Sequence, residues 1–262
     1  MPEAIELTEA VTYEVRGHFA IITINRPLQR NAVNGAVAAG IESAVDLVED
    51  DDEIRIGVLA GTPPVFCAGA DLKEINKGNG ALLGTKRGGF AGFVRRDRTK
   101  PIIAAVEGPA LAGGTEIVLA CDLVVASEGA SFGIPEVKRS LVAAAGGLFR
   151  LGRKIPLNIA MECALTGDPI DAEAAHRYGL VNVLVREGNA LTASFELAGR
   201  VCANAPVAVR ASRHVVLTGT HAPDGVGWKL SAEASAQATT SADFREGLSA
   251  FIEKRTPCWT GH

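Results

Sequence analysis

The chain has 262 residues, 47% of them hydrophobic, and a formal net charge of −4. That length accommodates one large domain with a sizeable core, and the acidic balance argues against nucleic acid as the main partner, because duplex binding needs a basic face. No apolar run approaches the ~18 residues that span a membrane, and the acidic start Met1-Pro2-Glu3-Ala4-Ile5-Glu6 has neither the basic nor the apolar region of a secretory signal.

Residues 11–15 and 19–24 read as a hairpin joined at Gly17-His18. Residues 34–49 place Val37, Ile41, Val45 and Val48 on one helical face. The run Ile54-Arg55-Ile56-Gly57-Val58-Leu59-Ala60 reads as a buried strand, and Thr62-Pro63-Pro64 breaks the pattern before a loop over 66–74. Residues 76–92 hold Gly78, Gly80, Gly84, Gly88, Gly89 and Gly92 and read as a mobile surface loop that serves as a lid. The basic cluster Arg95-Arg96-Asp97-Arg98-Thr99-Lys100 reads as a solvated helix face. Two further buried strands are expected over 101–106 and 121–126, and from residue 146 the chain reads as mainly helical apart from 180–185. Cys67, Cys121, Cys163, Cys202 and Cys258 form no CxxC pair, which fits a reducing cytoplasm. His18, His176, His214, His221 and His262 lack metal-ligand spacing, so no metal site is expected.

The densest chemical signal is Ala110-Leu111-Ala112-Gly113-Gly114-Thr115-Glu116. A buried strand, a small-residue turn and a helix start converge there, and the unpaired N–H groups and dipole of a helix N-terminus favour negative charge. Such donors polarise a carbonyl as an oxyanion develops. Glu116 sits three residues inside the helix. Glu136 follows in Ser131-Phe132-Gly133-Ile134-Pro135-Glu136, after one intervening strand that returns the chain toward the first carboxylate. Two glutamates across a small apolar slot make a general acid/base pair. Ala112, Ile134 and Pro135 supply the low polarity that keeps one carboxyl protonated near neutral pH.

Several ordered motifs resemble the crotonase superfamily of enoyl-CoA hydratases and isomerases. They are Phe66-Cys67-Ala68-Gly69-Ala70-Asp71-Leu72-Lys73-Glu74, Lys100-Pro101-Ile102-Ile103-Ala104-Ala105-Val106, the 110–116 turn, Phe132-Gly133-Ile134-Pro135-Glu136 and Leu165-Thr166-Gly167. The resemblance runs from Ile24-Asn25-Arg26-Pro27 to Phe251-Ile252-Glu253-Lys254-Arg255. It implies an α/β fold, a crotonase (ClpP-like) spiral of ββα repeats over residues 1–195, with a helical C-terminal region over 196–262 that mediates trimerisation or pairing of trimers. It also implies an oxyanion hole made by the Ala70 and Gly113 N–H groups, with Glu116 and Glu136 as the catalytic pair. Coenzyme A contacts are implied at Arg30, Ala32, Ala68, Asp71, Leu72, Lys73 and Lys254, the last from a neighbouring subunit. No cofactor is implied beyond the coenzyme A carried by the substrate.

The expected activity is reversible hydration of a 2-enoyl-CoA. One departure is Leu141-Val142-Ala143-Ala144-Ala145-Gly146-Gly147, where many hydratases carry Pro-Gly-Ala-Gly-Gly. The segments Gly88-Gly89-Phe90-Ala91-Gly92 and Arg255-Thr256-Pro257-Cys258-Trp259 are similar to the carnitinyl-CoA dehydratase branch, which is the alternative for substrate. An enoyl-CoA isomerase commonly needs one of the two glutamates. A non-catalytic acyl-CoA or RNA-binding relative fits poorly with both glutamates and a net negative charge.

Overall fold

The structure is a computed structural model that describes residues 4–262; residues 1–3 of the acidic start lie outside the described residues. Strands β1 (Ile5–Thr8), β2 (Val11–Arg16) and β3 (Phe19–Ile24) pair antiparallel, and β2 turns into β3 at Gly17, whose φ of 57° is open to glycine at little steric cost. From β3 onward the sheet runs parallel through β4 (Ile56–Gly61), β7 (Ile102–Val106), β9 (Leu123–Ser127) and β12 (Val183–Val185), in the order β1-β2-β3-β4-β7-β9-β12.

Every residue of β4 and β7 is buried, because both faces of the sheet are covered. One face meets helix α1 (Gly35–Asp50), which buries the expected stripe Val37, Ile41, Val45 and Val48. The other face carries Ile56, Val58, Ile103 and Val125 against Ala198 and Phe195 of helix α7 (Ala190–Cys202). The boundary expected at residue 195 therefore falls inside a helix that packs on the sheet.

After the long parallel strands the chain crosses to a second, smaller layer. Strand β8 (Pro109–Leu111) follows β7, and β10 (Ser131–Gly133) follows β9; the two pair in parallel, with β11 (Ile170–Asp171) at the edge. Single bridges extend the layer in the other direction, Cys67 to Ala110 and Val33 to Ala70. Each turn of the chain thus adds one rung to both layers, which is the spiral of ββα units expected from the resemblance. Helices α2 (Leu72–Asn76) and α3 (Gly113–Ala120) close the second and third turns. Beyond them lie α4 (Gly147–Lys154), α5 (Leu157–Thr166) and α6 (Ala172–Arg177), and, after α7, α8 (Pro206–Gly219), α9 (Asp224–Thr240) and α10 (Ala242–Glu253). The tail folds back, with Trp259 Nε1 donating to the Ala203 carbonyl at 2.8 Å and Arg255 pairing with Glu246 at 2.6 Å.

Three expectations need correction. The 66–74 loop contains α2, started by the Asp71 carboxylate accepting from the Lys73 N–H at 3.1 Å. Residues 76–92 are not a bare loop. They form a 3₁₀ turn over Gly80–Leu83 and a two-stranded pair, β5 (Gly84–Thr85) with β6 (Gly89–Phe90), and Leu83 and Ala91 are buried. Helix α1 pins them: Glu42 accepts from the Thr85 hydroxyl at 2.7 Å and the Gly88 N–H at 3.1 Å, and Asp46 holds Arg87 at 2.5 Å and Arg96 at 2.6 Å.

The basic cluster at 95–100 is neither helical nor solvated throughout. Arg98 is buried against Asp122, which also receives Arg213 of α8 at 2.9 Å. Lys100 is only 3% exposed because its ammonium donates to the carbonyls of Val48, Glu49 and Asp51 at 2.8, 3.2 and 2.7 Å. Those carbonyls end α1, where unpaired acceptors and the negative dipole end favour a cation.

Candidate active site

The 110–116 turn leads from β8 into α3 as expected, through one strained residue. Ala112 adopts φ 53° and ψ −127°, a region that costs a residue with a Cβ about 1–3 kcal/mol. Its surroundings over-determine that conformation. The Ala112 N–H donates to the Gly133 carbonyl at 2.8 Å. The buried Thr115 hydroxyl accepts from the Gly133 N–H at 2.9 Å and donates to the Ala110 carbonyl at 2.6 Å. One threonine thus locks β8, β10 and the start of α3 together.

A second loop lies against this turn. Leu111 N–H donates to the Cys67 carbonyl at 3.0 Å, and Cys67 N–H to the Pro109 carbonyl at 3.3 Å. Gly69, at φ 93°, touches the turn so closely that a Cβ there would meet Ala112 Cβ at 2.8 Å and Gly113 N at 3.0 Å. Val33 exchanges hydrogen bonds with Gly69 O (2.8 Å) and Asp71 N (2.9 Å). Because groups alternate sides along an extended segment, the intervening Ala70 N–H faces away from Val33. Among the described residues neither Ala70 N–H nor Gly113 N–H has a backbone or side-chain acceptor. Both residues line one cavity of about 870 Å³.

Glu116 and Glu136 line the same cavity. Glu116 is 3% exposed, and its Oε1 accepts from the Gly147 N–H at 2.9 Å, at the start of α4. Burial pushes its carboxyl up to about 7, the Gly147 N–H pulls it back, and the Glu136 charge adds to the rise. Glu136 stands in a 3₁₀ turn over Pro135–Arg139. Burial raises its carboxyl too, against its own backbone N–H and the Arg139 charge. Its Oε2 is buried with no hydrogen-bond partner among the described residues, so it is free to meet a bound molecule. Two raised carboxyls beside two unpaired N–H groups can move a proton while holding an oxyanion.

The remaining expected contacts divide. Arg30, Ala68 and Leu72 line the cavity with the four residues above; Ala32, Asp71, Lys73 and Lys254 do not. Asp71 caps α2 and pairs with Arg26 at 3.1 Å, Lys73 is exposed on α2, and Lys254 ends α10 in the left-handed conformation. Of the basic cluster, Arg95 alone reaches the cavity wall. Among the described residues no three His, Cys, Asp or Glu side chains are grouped as a metal site would need, and no helix is long and apolar enough to cross a membrane.

Phe90 belongs to the 88–92 segment that resembles the carnitinyl-CoA dehydratase branch, whereas Arg150 carries no local sequence signal for a role here. The Phe90 ring lies where a Cβ on Gly113 would fall, 2.4 Å from its Cε1. Arg150 of α4 donates to the Val94 carbonyl at 2.7 Å and the Ala145 carbonyl at 3.3 Å. Val94 and Ala145 both belong to the cavity wall, so one guanidinium ties the two sides together near Glu116. Removing that cation takes away an interaction favouring the Glu116 carboxylate. Arg150→Met is therefore expected to move the acid limb of the activity profile to higher pH, and Arg150→Lys to leave it in place; pH–rate profiles of both variants check this. Coincident profiles in Arg150→Met and the parent would remove the electrostatic role.

The enoyl-CoA hydratase/isomerase family model matches residues 14–262. Enoyl-CoA hydratase EchA19 of Mycobacterium tuberculosis is 40% identical over 249 residues, covering 93% of this chain and 94% of that protein. The carnitinyl-CoA dehydratase of Salmonella typhi is 34% identical over 267 residues, covering 100% of both. The crystal structure of enoyl-CoA hydratase EchA1 from Mycobacterium marinum superposes with a TM-score of 0.93 at 46% identity, over 97% of this chain and 99% of that one. Motifs, spiral and full-length similarity agree: the chain belongs to the enoyl-CoA hydratase/isomerase family of the crotonase superfamily.

Proposed function

We propose that the protein is an enoyl-CoA hydratase, a hydro-lyase that adds water reversibly across the 2,3 double bond of a 2-enoyl-CoA thioester. The observation that carries this is that Glu116 and Glu136 line one cavity together with the unpaired Ala70 and Gly113 N–H groups. The thioester oxygen sits against those N–H groups, at the positive end of α3. Polarisation makes C3 electrophilic. Glu116, in the ionised form that gains population as pH rises through about 7, takes a proton from water as oxygen bonds to C3. The π electrons move to C2, the enolate charge rests on the two donors, and Glu136 delivers a proton to C2. Dehydration reverses the roles. Losing one such donor costs ~3–4 kcal/mol of transition-state stabilisation.

The reading uses no resident cofactor, since coenzyme A arrives on the substrate. Arg30, Ala68 and Leu72 are its wall contacts. Lys254 lies beside Phe251 and Ile252, which are 84% and 77% exposed, and Trp228 on α9 is 76% exposed. Apolar side chains left this open support self-association, as a trimer or pair of trimers in which Lys254 meets the coenzyme A phosphates of a neighbouring subunit. The cytoplasm is the setting this reading assigns.

Two readings compete. An isomerase commonly needs one of the two glutamates. Carnitinyl-CoA dehydration has the Salmonella typhi relative in its favour, and Phe90 is the one aromatic ring on the cavity wall among the described residues. The purified full chain is expected to hydrate crotonyl-CoA, followed as loss of the conjugated-thioester absorbance. An unchanged absorbance, or double-bond migration without hydration, would remove the assignment. Faster use of crotonobetainyl-CoA than of crotonyl-CoA would transfer it to the carnitinyl branch.

A further inference from the structure

Four basic side chains line the cavity, Arg30, Lys86, Arg95 and Arg139, against two acidic ones, Glu116 and Glu136. The chain as a whole carries a net −4, so the local balance is reversed. Basic residues adjacent in sequence show how selective this is. Arg87 and Arg96 are bound to Asp46, and Lys138 to Asp168 at 2.5 Å. Their neighbours Lys86, Arg95 and Arg139 form no ion pair among the described residues and reach the cavity instead. In each segment one cation is paired with a carboxylate and its neighbour, unpaired, lines the cavity.

Arg139 is placed most informatively. Residues three apart eclipse in a 3₁₀ helix, so Arg139 projects on the same side as Glu136, one turn further along. Its charge reaches the Glu136 carboxyl and opposes the effect of burial there. With the thioester oxygen at Ala70 and Gly113 and C2 at Glu136, coenzyme A leaves past Ala68, Leu72 and Arg30. The far side of Glu136 then belongs to the acyl group. Leu141 and Val142, which follow Arg139 closely in the chain, line the same cavity and are apolar, with Arg139 as the charged member of that stretch.

We infer that Arg139 is a specificity-determining residue that recognises a carboxylate on the distal end of the acyl group, making short dicarboxylic 2-enoyl thioesters the preferred substrate class. This rests on the hydratase reading above. A guanidinium matches a carboxylate in shape and charge, while the same cation repels a quaternary ammonium. The step itself is unchanged: water adds across C2 and C3, and the distal carboxylate takes no part in it.

The test compares substrates that differ in that one group, using the full chain. We expect kcat/KM for 2-hexenedioyl-CoA to exceed that for 2-hexenoyl-CoA by about tenfold, the lower end for one charge-assisted hydrogen bond at a partly exposed site, with crotonobetainyl-CoA below both. Arg139→Gln should collapse the hexenedioyl-to-hexenoyl ratio, Arg139→Lys should keep part of it, and Arg139→Glu should invert it. Equal use of the two six-carbon substrates by the parent overturns the inference and leaves the hydratase reading standing. So does an Arg139→Gln variant in which inhibition by free coenzyme A weakens as much as hexenedioyl turnover falls, because Arg139 is then a phosphate contact. Failure to hydrate either substrate while crotonyl-CoA is still hydrated overturns the inference alone, and failure with all three overturns both.

Discussion

Glu116→Gln is expected to reduce hydration of crotonyl-CoA by at least about 10³-fold while leaving binding of the thioester measurable. The amide keeps the size of the side chain and an oxygen for the Gly147 N–H, which now bonds Oε1 at 2.9 Å. What disappears is the proton-accepting carboxylate. General-base contributions lie at about 10²–10⁴-fold, and this group also orients the water, so a loss toward the upper half of that range is reasonable. Rates measured alongside inhibition by a non-reactive acyl-CoA separate the two effects. A variant that retains a tenth of the parent rate would show that Glu116 is not the base.

The same substitution has a stability signature of known sign. The Glu116 carboxyl sits near 7 in the folded chain and near 4.5 when unfolded. A raised acid binds more protons folded than unfolded between those values, so the parent loses stability as pH rises through that window. At about 1.4 kcal/mol per pKa unit the loss approaches 3 kcal/mol. Glutamine does not titrate. The difference in unfolding free energy between variant and parent is therefore expected to move in favour of the variant by about that much from pH 4 to pH 8, whatever its constant offset. Denaturant titrations at both pH values measure it. The catalytic counterpart is an acid limb near pH 7 in the parent profile, as Glu116 ionises.

How far this site is legible from residues alone depends on the range of each contact. The β7 run, the α1 stripe and the glycine turn before Glu116 are local patterns, and the structure places all three where periodicity does. The return of Glu136 to the same cavity follows from one intervening strand and the Gly-Ile-Pro approach. Long-range polar partners have no such signature. Nothing in Arg98-Thr99-Lys100 announces that Lys100 caps a helix about 50 residues earlier, or that Arg98 meets Asp122, so a buried pair of cations reads as a solvated run. Glu42 and Asp46 look like the wet face of α1, yet they hold the glycine-rich 84–96 segment in place. The 141–147 stretch is visible as a departure from the common hydratase pattern, but the Gly147 hydrogen bond to Glu116 spans 31 residues and depends on the packing of α4. Lys138 pairs with Asp168, 30 residues away, and that partner again lies outside any local window.

Gly114→Ala is expected to abolish activity where Gly113→Ala only impairs it, although the two glycines are adjacent. A Cβ on Gly114 would lie 2.0 Å from the Cys67 carbonyl oxygen and 2.8 Å from its carbon. Both are backbone atoms of the loop that presents Ala70, and that loop is bridged to β8 through Cys67 and Ala110. Relief of the clash requires the loop and α3 to separate, which moves one oxyanion donor off the other. Loss of a single donor is worth about 10²–10³ in rate, and parting two packed loops lowers stability as well. At Gly113 the clash is with the far edge of the Phe90 ring, Cε1 at 2.4 Å and Cζ at 2.5 Å. A ring edge can swing about its side-chain torsions, so both backbone donors stay in place and the acyl slot is what deforms. Removing the ring should then restore Gly113→Ala: the double variant with Phe90→Ala is expected to recover most of the activity of Phe90→Ala alone, while Gly114→Ala gains nothing from it. Turnover of crotonyl-CoA across this set, with melting temperatures as a control for folding, decides the matter. Equal losses at the two glycines, unrelieved by Phe90→Ala, would show that the contact between the Ala70 loop and the α3 turn does not set the donor geometry.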